Sequence, residues 1–204
     1  MTSNLVDKTT NIDTFSLEIS WSNKLFGFWL YLMSDCIVFA TLFSVYMVMK
    51  DNVANGPSGP DIFNFPVVIL ESLLLLFSSF SYSFIFLEIK QCNKIKFIFW
   101  LIITFLLGSI FLILEIFELY SFIQKGYSPS CSGFLSAFFT LLSVHGIHVF
   151  SALIWILVMI KQIRRFGITR EVYTKFCCLS LFWHFLDIIW IFVFSEVYLI
   201  GVIG

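Results

Sequence analysis

The residues of this sequence that could do chemistry are acids and histidines sunk in apolar surroundings. Three pairs recur at i, i+3: Glu115/Glu118, His145/His148 and His184/Asp187. That spacing sets both members of a pair on one helix face. Asp35 and Glu71 sit singly in apolar runs of their own, and Glu196 follows near the C-terminus. Rows of intramembrane acids and imidazoles relay protons or line ion paths in some membrane proteins. In others they form hydrogen bonds that fix which helices pack together. Both readings stay open on the residues alone. An acid at the bilayer centre costs about 2.5–3.5 kcal/mol on insertion scales, so each reading has to provide a partner. No Lys or Arg lies inside the apolar runs, which leaves histidines, hydroxyls, amides or other acids as partners.

His145-Gly-Ile-His148 raises the question of metal or haem ligation. It is not the HExxH zinc pattern. Three histidines cannot supply two bis-histidine haems, and one haem would need two helices at matching depth. The five cysteines form no CxxC or zinc spacing. Cys36, Cys177 and Cys178 lie within apolar runs and read as small hydrophobes of helix packing. No Gly-rich phosphate loop, Cys/His nucleophile pair or catalytic carboxylate pair stands out. The expectation is therefore no catalytic residue, no cofactor ligand and no metal ligand in this chain.

The elements that carry these residues follow from composition. Of 204 residues, 59% are hydrophobic and only 12% charged, against the usual quarter for soluble domains. A net charge of -1 gives no basic surface for nucleic acid. A spanning helix needs about 20 mostly apolar residues. Five segments qualify: 26–49, 66–89, 97–122, 134–160 and 176–201. A Gly/Pro/Asn stretch at 50–65 breaks the first two, and short polar or basic turns break the rest. The expected fold class is all-α, a polytopic membrane bundle of five helices over residues 26–204. Residues 1–25 are polar and lack a signal-peptide pattern, so they read as a cytoplasmic N-terminal tail.

Ten of the twelve Lys and Arg residues flank one set of span ends, and only Lys50 and Lys125 flank the other. The positive-inside rule then puts the N-terminus in the cytoplasm and, with five spans, the C-terminus outside. Counting about 1.5 Å per residue from the cytoplasmic ends sorts the polar groups by depth. Asp35, His184 and Asp187 fall at roughly 10–16 Å, and His145, Glu71, Glu115 and Glu118 at roughly 22–32 Å. His148 lies between these layers. Asp35 is expected to meet the His184/Asp187 face in the inner layer.

Three longer stretches carry a resemblance. GFWLYLMSDC at 27–36 resembles the helix of haem-copper oxidase subunit III that holds its intramembrane carboxylate. GFLSAFFTLLSVHGIHV at 133–149 is similar to that family's HGxHV segment, and SLFWHFLDIIWIFVFSEVYLIG at 180–201 to its C-terminal WHFxDxxW helix. The three motifs occur in the family's order, and the resemblance runs from about residue 25 to the end. Cytochrome c oxidase subunit III usually has two further N-terminal helices, and glutamate at the position of Asp35. Both departures resemble the cytochrome bo-type ubiquinol oxidase branch.

The resemblance implies a non-catalytic accessory subunit of a proton-pumping ubiquinol oxidase in a bacterial inner membrane. It implies that haem and copper belong to subunit I, that subunit I is the chief partner, and that membrane phospholipid is bound. Asp35 matches the motif carboxylate, with His145, His148, His184 and Asp187 at the other motif positions. Two other readings compete: a haem- or quinone-binding cytochrome b-like anchor, and a small transporter. The transporter would show broken or repeated helices, and neither is visible.

Overall fold

The structure, a computed structural model, describes residues 3–50, 65–90, 94–167 and 169–199, with side-chain surroundings for 23–50, 66–85, 94–167, 169 and 171–198. The Gly/Pro/Asn loop, Cys92 and the last five residues of the C-terminus lie outside the described residues. So do the side chains of the first 22 residues.

Among the described residues five helices follow one another: α1 (Ser3–Met49), α2 (Phe65–Lys90), α3 (Lys94–Gln124), α4 (Gly133–Phe166) and α5 (Arg170–Val193). α5 runs on into a wider π turn, Phe194–Leu199. Each contains a stretch long and apolar enough to cross a membrane; in α1 it begins at Asn23. The segment read as a tail is therefore helical from Ser3 and continuous with α1.

Apolar residues cover every face of these helices, so the core is set by spacing rather than by a polar/apolar boundary. In α3 the buried residues are Phe97, Leu101, Thr104, Gly108, Phe111, Glu115, Glu118 and Phe122, in alternating steps of four and three. α2 buries Val68, Glu71, Leu75, Ser78, Tyr82 and Ile85 in the same rhythm, and α1 buries Leu32, Phe39 and Tyr46 seven apart. A repeat of 3.5 residues is shorter than the 3.6 of a straight helix, so the seam keeps facing its neighbours only if the helices coil left-handedly. Left-handed crossings of this kind are the common packing of transmembrane bundles.

α5 is the hub. It packs on α1, α2 and α4. It reaches α3 through Phe176 against Phe97 and Trp190 against Phe111, with ring centroids 5.2 and 4.7 Å apart. Its span is 61% buried, whereas that of α1 is 17% buried, which puts α1 at the edge of the bundle. α1 touches α4 and α5.

Helix ends follow local chemistry. The Ser132 hydroxyl accepts from Leu135 N at the start of α4, and the Thr169 hydroxyl accepts from Val172 N at the start of α5. These hydroxyls satisfy donors that have no intrahelical partner. α4 ends at Gly167, whose φ of 73° lies where a side chain would strain the backbone. Lys94 Nζ lies against Gly167, a cation at a helix C-terminus.

Candidate functional site

The heptad seams carry the intramembrane polar residues to one another. Glu71, Glu115, Glu118 and His145 sit on seam positions of α2, α3 and α4, and all four are buried. Asp35 falls three residues after Leu32 and four before Phe39, which is the alternate seam position of α1.

On α1, the Asp35 carboxylate faces α4. Its Oδ2 lies 3.6 Å from His148 Nε2, and Tyr31, one turn earlier, interacts with the same carboxylate. His148 Nδ1 lies 2.7 Å from Val144 O, which makes Nδ1 a donor to that carbonyl. Nε2 is then left to face Asp35. On the other side of α5, His184 Nδ1 lies 2.8 Å from Ser79 Oγ on α2 and 3.7 Å from Asp187 Oδ2. Ser72 on α2 accepts from Trp190 Nε1 at 3.1 Å, and the Tyr82 hydroxyl donates to Phe176 O. These bonds tie α2 to α5.

The ion-pair contact that Asp35 makes among the described residues is with His148 of α4 rather than with His184. Counting residues gives the depth of Asp35 but not its direction around the helix. α1 packs on α4 as well as α5, and the seam turns Asp35 toward α4. The i, i+3 pairing of His184 with Asp187 does form.

Toward the other end, three acids gather between α2 and α3. Glu71 and Glu115 are at most 1% exposed and Glu118 is 6% exposed. Glu115 is near enough to Glu71 and Glu118 to interact electrostatically with both. Tyr198, in the π turn of α5, donates to Glu118 Oε2 at 3.1 Å. Glu196, two residues before Tyr198, is half-buried. The hydroxyls of Ser72, Ser79 and Tyr198 went unremarked in the sequence. The one signal that could have found them is their spacing from Glu71 and Asp187 along α2 and α5.

His145 sits in aromatic surroundings. Its ring lies among Trp190, Phe111 and Phe39, at centroid distances of 5.4, 6.0 and 6.4 Å. Neither ring nitrogen has a hydrogen-bond partner among the described residues. Gly146 beside it gives room to Glu115: a Cβ there would stand 3.1 Å from Glu115 Oε2.

The sequence matches the cytochrome c oxidase subunit III family over residues 13–202. The chain belongs to that family. The match takes in every residue of both polar layers. Among its relatives is the cytochrome bo(3) ubiquinol oxidase subunit 3 of Buchnera aphidicola subsp. Baizongia pistaciae, 56% identical over 183 residues, which are 90% of this chain and 94% of the relative. The protein of the same name from Pseudomonas aeruginosa is 50% identical over 89% of this chain and 87% of its own length. A cytochrome c oxidase subunit 3 from a Bacillus strain is 40% identical over 89% and 88%. The electron donor named for these subunit III relatives thus changes while the aligned share of the chain does not.

The family name is that of a haem-copper enzyme, but the histidines here do not fit a haem or a copper ion. His145 is enclosed by aromatic rings, the free Nε2 of His148 faces the Asp35 carboxylate, and His184 is held between Ser79 and Asp187. Among the described residues no three His, Cys, Asp or Glu side chains converge as ligands. The arrangement suits interhelical hydrogen bonding in apolar surroundings.

One consequence is measurable. Hydrogen bonds between membrane helices average about 0.6 kcal/mol and reach about 1.7. Asp35→Leu should lower bundle stability within that range, and Asp35→Asn by less, since an amide keeps a polar contact with the imidazole. His148→Leu should cost a similar amount, and the double variant little more than either single one. Equilibrium unfolding in mixed micelles reads this. Additive losses would show that the two side chains do not act as a pair.

Proposed function

We propose that this chain is the non-catalytic subunit III of a cytochrome bo-type ubiquinol oxidase, packed beside the catalytic subunit I. The observation that carries this reading is identity of 50% or more, over nearly the full length of both chains, to proteins named cytochrome bo(3) ubiquinol oxidase subunit 3. Asp35 in the motif of α1 supports the same branch. In this reading haem and copper reside in subunit I. Asp35, His148, His184 and Asp187 hold helices together, and no electron passes through this chain. Its role is then to keep subunit I intact through sustained turnover, with phospholipid filling its outward apolar faces. Tagged chain purified from native membranes should carry the haem and quinol oxidase activity of its partners. The same complex stripped of this chain should start at the same rate and lose activity sooner. The cytochrome b-like anchor predicts haem bound by the chain alone.

The orientation belongs to the same proposal. Lys24, Lys94, Lys96, Lys161, Arg164, Arg165 and Lys175 stand at one end of the bundle and Lys50 and Lys125 at the other. The basic end is cytoplasmic. Reporter fusions after Lys96 and after Lys175 should report cytoplasm, and a periplasmic signal at either site would reverse the topology.

A further inference from the structure

Glu115 has a second side. Besides the buried seam it lines a cleft of about 290 Å³ between α3 and α4, together with Leu112, Leu119, Ser143, Gly146 and Phe150. The residue is 1% exposed, and neither carboxyl oxygen has a hydrogen-bond partner among the described residues. A buried carboxyl left without a donor is expensive in an apolar medium. Tyr198 already bonds to Glu118, and Gly146 contributes no side chain to Glu115.

The cleft opens onto the outward face of α4, which carries several hydroxyl side chains. Ser136, Thr140, Ser143 and Ser151 are exposed there, spaced four, three and eight residues apart and so on one side of the helix, with Ile147 and Phe150 exposed in the longer gap. The stripe is about 22 Å long at 1.5 Å per residue. The Thr140 hydroxyl donates to Ser136 O and the Ser151 hydroxyl to His148 O, so these side chains lie close to their own helix. The outward faces of α2 and α3 present Leu70, Leu73, Phe77, Ile113 and Phe117 instead. Small side chains let a second helix backbone approach closely, and lipid tails do not require them.

We propose that the α3–α4 cleft receives a transmembrane helix of another subunit of the oxidase, which sets a hydrogen-bond donor on Glu115. The proposal rests on the assignment of the chain to an oxidase complex. Its occupant is a helix carrying Ser, Thr, Asn, Trp or a cation at the level of Glu115, flanked by side chains that fit the small-residue stripe. The donor completes a carboxyl that this chain alone leaves open.

The test uses the assembled oxidase in native membranes, purified through a tag on its catalytic subunit. Photoreactive benzoylphenylalanine is placed at Ile147, and separately at Ile154, both on the exposed face of α4. Irradiation should join this chain to a different oxidase subunit, and Ser143→Phe, which fills the cleft mouth, should cut that adduct at least tenfold. Glu115→Gln, which keeps shape and an acceptor oxygen, should leave the adduct in place. Adducts only to lipid, adducts to a second copy of this chain, or no adduct from either position would each overturn the docking site while leaving the accessory-subunit assignment intact. Absence of the chain from the tagged oxidase would overturn both.

Discussion

Trp190→Ala should cost the bundle about 3 kcal/mol, at the low end of the roughly 3–5 kcal/mol seen for large aromatic truncations in soluble cores. Trp190 is 2% exposed and sits in the hub helix. Its ring meets Phe111 of α3 edge-on, lies over His145 of α4, and donates through Nε1 to Ser72 of α2. One side chain therefore joins four helices. In a membrane the hydrophobic share of the loss shrinks, because lipid replaces water around the separated helices, while the packing share remains. Trp190→Phe keeps most of the ring and drops only the Ser72 bond, so it should cost about 1 kcal/mol. Phe117→Ala, on the outward face of α3 where Phe117 is 69% exposed, should stay within about 0.5 kcal/mol. Unfolding curves of the three variants in the same micelles give the comparison. Equal losses at Trp190 and Phe117 would mean that α5 is not the hub.

The opposite substitution should do damage at Gly108. A Cβ built there stands 2.7 Å from Trp183 Cη2 and 3.1 Å from Leu153 Cδ2. Trp183 is 1% exposed and hemmed in, so its ring cannot swing clear. Overpacking of this kind costs about 1–3 kcal/mol. Gly108→Ala should fall in that range, and Gly108→Leu should lose more or fail to assemble. Trp183→Phe in the Gly108→Ala background should recover part of the loss, because the shorter ring vacates the contact. The same double variant should be far from additive. A neutral Gly108→Ala would show that α3 and α5 are further apart than described.

The number of spans could be read from apolar length alone, and their centres agree with the helices. Their ends could not. The apolar run begins at Phe176, but α5 starts at Arg170, because Thr169 caps a turn whose charged residues are good helix formers. α4 likewise runs past Ile160 through KQIRRF to Phe166. Hydropathy marks where a helix meets lipid, not where its hydrogen bonds stop.

The polar layers were legible as depths and illegible as pairs. Counting residues placed Asp35, His184 and Asp187 at one level, but depth says nothing about direction around the axis. In a soluble helix the polar face would give that direction. Here Ile113, Ile116 and Phe117 on the outward side of α3 are as apolar as Leu101 and Phe111 inside, so no such face exists. The information was present in another form. Glu71, Glu115, Glu118 and His145 keep the alternating three-and-four spacing of the buried residues around them. Read as seam markers rather than as lone acids, they would have turned each helix correctly and sent Asp35 toward α4.

Purification of the tagged full-length chain from native membranes in mild detergent tests the central claim most directly. The account predicts a complex that contains a larger catalytic subunit, shows haem absorbance, and consumes oxygen with ubiquinol. It predicts that the chain released from this complex is colourless. Haem retained by the isolated chain, or a purified chain with no oxidase subunit beside it, would contradict the account.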